Sequence, residues 1–98
     1  MLKKRDINRP NLLKLLTENK EVVVVFTKAT TGTQRTMHCT LMSDEIPTNH
    51  MTSLHSTLGG GGNPDILPVW DIIKGNWRSF YISRISSVDL PKRLQKDN

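Results

Sequence analysis

Cysteine, long hydrophobic runs, aromatics and acidic residues are all scarce in this chain, and each shortage excludes something. Cys39 is the only cysteine, so no intramolecular disulfide can form and nothing asks for an oxidising compartment. The longest apolar run, Val22 to Phe26, falls far short of the roughly 20 residues that cross a bilayer as a helix. The opening MLKKRDINRP is basic but lacks the apolar stretch of a secretory signal. A soluble, intracellular protein without a membrane partner is therefore expected. Two Trp, two Phe and one Tyr fill only a modest core. A chain of 98 residues forms a single domain, 1–98, that buries about 60–70% of its unfolded surface. Nine acidic residues face fourteen Lys and Arg, a net charge of +5. That excess favours an anionic partner, most commonly nucleic acid, because basic side chains release condensed counterions on binding.

Signals for catalysis are missing too. Asp44 and Glu45 are adjacent, and adjacent side chains in an extended segment point apart. No nucleophile elbow accompanies the serines. Gly59 to Gly62 lack the strand, lysine and helix of a phosphate-binding loop and read as a tether. His50, His55 and Cys39 have no recognisable metal-ligand spacing. The expectation is no enzyme, no metal and no cofactor.

What is present is mostly strand pattern. In PNLLKLLTEN the leucines at 12, 13, 15 and 16 make one apolar stripe, which predicts a helix over 10–19 with Pro10 in its first turn. EVVVVFTK is so rich in β-branched residues that it reads as a strand covered on both faces. RTMHCTLM alternates, with Met37, Cys39 and Leu41 on one side and Thr36, His38 and Thr40 on the other. From 43 to 68 the pattern dissolves into a long mobile loop. VWDII resumes order, and Gly75-Asn76 suits a two-residue hairpin turn into WRSFYIS. There Arg78, Phe80 and Ile82 oppose Trp77, Ser79 and Tyr81. Asp71 shares a face with Val69 and Ile73, as a buried carboxylate ion-paired to Arg78 or Arg84. ISSVDL closes the strands after a bend at Arg84, residues 1–9 are loosely held, and 91–98 form a charged tail. A helix followed by five short strands fits either a small closed barrel or an open five-stranded sheet with the helix on one face.

The segments VVVVFTKATTGTQRTMHCTL and VWDIIKGNWRSFYISRI resemble small proteins of tailed bacteriophages with an Sm-like SH3 barrel, related to the WYL domain. The resemblance implies a mainly β fold: a five-stranded antiparallel barrel with an N-terminal helix and a flexible loop between its second and third strands. WYL domains are regulatory modules that bind nucleic acid or nucleotide-like ligands through basic and aromatic side chains. No Trp-Tyr-Leu tripeptide occurs here. The resemblance implies a phage protein in the host bacterial cytoplasm, and the positive charge taken with the Sm-like reading makes a non-catalytic accessory module that binds RNA or single-stranded DNA the expected role. Fold analogy adds a homo-oligomer, because Sm-like barrels assemble edge to edge.

The candidate nucleic-acid-binding residues are Lys28, Arg35, His38, Trp77, Arg78, Tyr81 and Arg84. Aromatic faces stack on unpaired bases and cations hold phosphates. Set against this, Trp77 and Tyr81 can simply pack under the helix or the long loop, with the arginines solvated. The alternative role is binding a host protein. Ile46, Met51, Leu54 and Leu58 of the long loop would then become ordered against it.

Overall fold

Asn8 starts the helix. Its side chain accepts the Asn11 backbone N–H at 3.0 Å, and α1 runs Arg9–Glu18 with Pro10 in the first turn. In this computed structural model, which describes residues 2–51 and 62–91, α1 buries Leu12 and Leu16 completely. At the other end, helix carbonyls that lack intrahelical donors are met by the second strand. The Leu41 N–H donates to Leu16 O at 3.0 Å, and Thr40 Oγ1 donates to Asn19 O at 2.9 Å. The leucine stripe thus supplies apolar contact, and the helix terminus fixes where it docks.

Five strands follow: β1 Val22–Thr27, β2 Gln34–Thr40, β3 Ile66–Asp71, β4 Asn76–Tyr81 and β5 Ile85–Asp89. They form one antiparallel sheet in the order β4-β3-β2-β1-β5. β1 and β4 are separated in that sheet by two strands, yet the rings of Phe26 and Phe80 lie 5.4 Å apart. The sheet has therefore curled until its inner faces meet. Val22, Val24, Cys39, Leu67, Val69 and Val88 fill the space together with the α1 leucines.

Several details differ from the sequence reading. In β1 only Val22, Val24 and Phe26 are buried, while Val23 and Val25 are half-buried, so its second face is only partly covered. Both ends of the expected mobile loop are ordered. Turns of 3-10 helix occupy Ser43–Glu45 and Thr48–His50, Ile46 enters the core, and β3 begins at Ile66. Pro68 sits on the part of β3 that β2 does not reach, where its missing N–H can face an open side. The first residues are also held: Leu2 bridges to Val88, and Lys4–Asp6 make a 3-10 turn.

The β3–β4 turn has four residues rather than two. Asp71 pairs with Asn76, and Ile72 to Gly75 lie between them. Asp71 takes the Gly75 N–H on its backbone O at 2.8 Å and the Lys74 N–H on Oδ1 at 3.0 Å. An aspartate side chain that caps the following backbone nucleates such a turn, and Gly75 supplies the left-handed φ of 65° that closes it. Ile73 consequently rides on the turn, 70% exposed, rather than beside Val69 and Asp71. The bend expected at Arg84 is the 3-10 turn Ile82–Arg84 between β4 and β5, and of the two arginines it is Arg78 that stands by Asp71.

Candidate nucleic-acid interface

β2 and β3 are paired only at Cys39–Asp71 and Thr40–Trp70. The first half of β2 is therefore bonded to β1 alone, and the sheet gapes on that side. A hollow of about 260 Å³ lies there, with Phe26, Arg35 and Thr36 on one wall and Asp71, Lys74, Arg78 and Ser79 on the other. Lys28 belongs to it too. Four cationic residues thus line one hollow together with a single buried carboxylate. Arg78 Nε stands 3.8 Å from Asp71 Oδ2, and about half of the arginine side chain remains in solvent. A pair this long and this exposed contributes little stability, and it leaves the guanidinium free to take another anion.

A second hollow of about 200 Å³ adjoins the first and shares Phe26, Lys28 and Ser79 with it. Ile66, Phe80 and Tyr81 line its far part. Tyr81 is 38% exposed at that end. The two hollows lie side by side as a groove along β4, which among the described residues is bonded to β3 alone. It is cationic at one end and aromatic at the other.

The structure brings Lys28, Arg35, Arg78 and Tyr81 together along this groove and leaves the other candidates outside it. His38 points to the opposite face of β2, where its Nδ1 is hydrogen-bonded to the buried Glu21 carboxylate. Trp77 packs edge-on against Trp70, with ring centroids 5.8 Å apart, and donates Nε1–H to His50 O at 3.2 Å. It sits under the Thr48–His50 turn, the structural role weighed against stacking. Arg84 is exposed on its 3-10 turn and lines neither hollow.

Of the partner-loop candidates, Ile46 is a core residue at 5% exposure, and Met51 packs against that core. Their apolar surface is already used within the monomer. Leu54 and Leu58 lie outside the described residues. Cys39 is fully buried, and loss of solvent pushes its thiol from 9.0 up to about 12, with the Asp71 charge adding to the rise. His50 lies against Trp70, with centroids 4.9 Å apart. Among the described residues no three His, Cys, Asp or Glu side chains gather as a metal site, and no described helix is long and apolar enough to cross a membrane.

Lys74 and Glu21 escaped the sequence reading. Lys74 enters the groove only because the turn has four residues, and the signal was Asp71 followed four positions later by glycine. Glu21 gave no signal, because its partner His38 is distant in sequence.

A curled five-stranded antiparallel sheet with a leading helix is the architecture of a small Sm-like, SH3-type barrel. Residues 11–86 match the family model described as WYL_2, Sm-like SH3 beta-barrel fold, and the chain belongs to that family. No curated protein and no solved structure matches it.

Proposed function

We propose that the chain is a non-catalytic module that binds single-stranded RNA or DNA along the groove beside β4. The convergence of Lys28, Arg35, Lys74 and Arg78 on one hollow that continues to Tyr81 carries this reading. The cations hold successive phosphates and release their counterions, and Tyr81 offers a face to an unpaired base, worth about 1–3 kcal/mol. Hollows this small suit single bases. Reading a duplex takes a helix or β-ribbon laid into the roughly 12 Å major groove. The resemblance to small phage proteins extends the proposal to an accessory role in the cytoplasm of an infected bacterium. Capture of a host protein is the second reading, favoured by the edge of β4 that no other described strand pairs with, to which an extended peptide can add as a strand.

Fluorescence anisotropy with short RNA and single-stranded DNA, from about 50 to 200 mM salt, tests the first reading. Four phosphate contacts predict a slope of log K against log salt of about −3. The double variant Arg35→Ala, Arg78→Ala should flatten that slope by about 1.4. Absence of binding at the low-salt end overturns it. A partner protein retained from nuclease-treated lysate would then favour the second reading.

A further inference from the structure

We propose that the hollow around Asp71 is a guanine-selective base site, a refinement that rests on the groove accepting nucleic acid. Asp71 is buried at 6% exposure, yet it forms part of the wall of the 260 Å³ hollow. Its Oδ1 accepts the Lys74 N–H, which sets the plane of the carboxylate. Its Oδ2 has Arg78 Nε at 3.8 Å, beyond hydrogen-bond reach, and so retains room for a donor arriving from the hollow.

A carboxylate accepts hydrogen bonds and gives none. Guanine alone among the common bases places two neighbouring donors, N1–H and N2–H, on one edge. Adenine and cytosine set their amino group beside a ring-nitrogen acceptor, and uracil flanks its single N3–H with two carbonyl oxygens. Against a fixed buried carboxylate those acceptors are repelled, and a site built around one polar group rejects analogues that cannot satisfy it. Size agrees. Pockets for whole small molecules run about 300–1,000 Å³, so a hollow of about 260 Å³ takes a base and leaves sugar and phosphate outside. Lys28, Arg35, Lys74 and Arg78 stand at that hollow to receive the phosphates that flank the base. The guanine can arrive within a strand or as a free nucleotide.

The test uses the whole chain and short oligouridylates carrying one central guanine, hypoxanthine, adenine or cytosine. The guanine strand should bind about tenfold more tightly than the adenine, cytosine or all-uridine strands. Hypoxanthine keeps N1–H and lacks the amino group, so it should fall between. Asp71→Asn should bring the guanine strand to the level of the uridine strand. Should that variant fail to fold, the base series on the unaltered protein decides alone. Equal affinity for every strand overturns the guanine site and leaves the groove reading intact. If no strand binds at about 50 mM salt, guanosine monophosphate measured against adenosine monophosphate separates the remaining cases. A guanine preference there keeps this site and removes the strand reading, and binding of neither nucleotide removes both.

Discussion

The two faces of the β3–β4 hairpin are built from alternate residues of the same two short strands, yet they meet different surroundings. On one face Trp70 and Trp77 stand directly opposite each other and are covered by the Thr48–His50 turn. On the other, Asp71 and Arg78 open into the groove. Successive side chains of a strand point apart, so neighbours in sequence are divided between faces. The run WRSFY looks like a single recognition motif and is not one. Its tryptophan covers the fold, its arginine faces the groove, its phenylalanine closes the core, and its tyrosine, on the tryptophan's side of the strand by alternation, lines the end of the groove.

If this division holds, substitutions on the two faces should separate stability from binding. The largest effect belongs to Trp70. It is nearly fully buried, and Trp70→Ala should cost about 3–5 kcal/mol in urea unfolding. Trp77→Ala should cost less, because Trp77 is only half-buried, and the folded variant should bind short RNA as tightly as the parent. A loss of affinity in folded Trp77→Ala would put the tryptophan face in the site and break the comparison.

Cys39 marks where the charged face passes into the core, since it pairs with Asp71 across the β2–β3 seam. Its folded thiol keeps its proton up to about pH 12, while the unfolded chain releases it near 9.0. The folded state therefore binds more protons through that window. The contribution is complete below pH 9 and is lost as pH rises towards 12. Stability measured across this range should fall less steeply in Cys39→Ala than in the parent. Parallel curves would mean that the thiol is more solvated than the seam implies.

Tyr81 reverses the tryptophan test. Tyr81→Ala should weaken strand binding by about 1–3 kcal/mol. Its effect on the unfolding midpoint should be small, because the side chain is exposed at the end of the groove. An unchanged affinity would confine binding to the cationic hollow.

How far these features could be read beforehand depended on how local their causes are. The leucine stripe of α1, the alternation of Met37 and Cys39, and the burial of Asp71 follow from spacing within single segments. The groove does not. It exists because β2 and β3 pair at only two positions, and no stretch of sequence encodes the extent of a pairing between distant strands. Arg35 and Arg78 were legible as cations, but their meeting was not. Ile46 was misplaced for a related reason. It lies in an aperiodic segment, where nothing distinguishes an apolar residue that turns inward from one left for a partner. The turn at Ile72–Gly75 was missed because Gly75-Asn76 has strong two-residue turn chemistry, while the competing cause is a side-chain bond from Asp71.

The smallest expected effect gives the finest test, because it compares two residues of one strand. Arg35 and His38 both lie on β2, three positions apart, so alternation turns them to opposite faces. Arg35 faces the groove, while His38 has Glu21 bonded to its ring nitrogen on the other side of the sheet. A cation that contacts one phosphate contributes about 0.7 to the salt slope for single strands. Arg35→Ala should therefore flatten the slope of log K against log salt by about that amount, and His38→Ala should leave it where it was. If both variants flatten it equally, the bound strand wraps across the outer face as well. The groove beside β4 would then be only part of the interface.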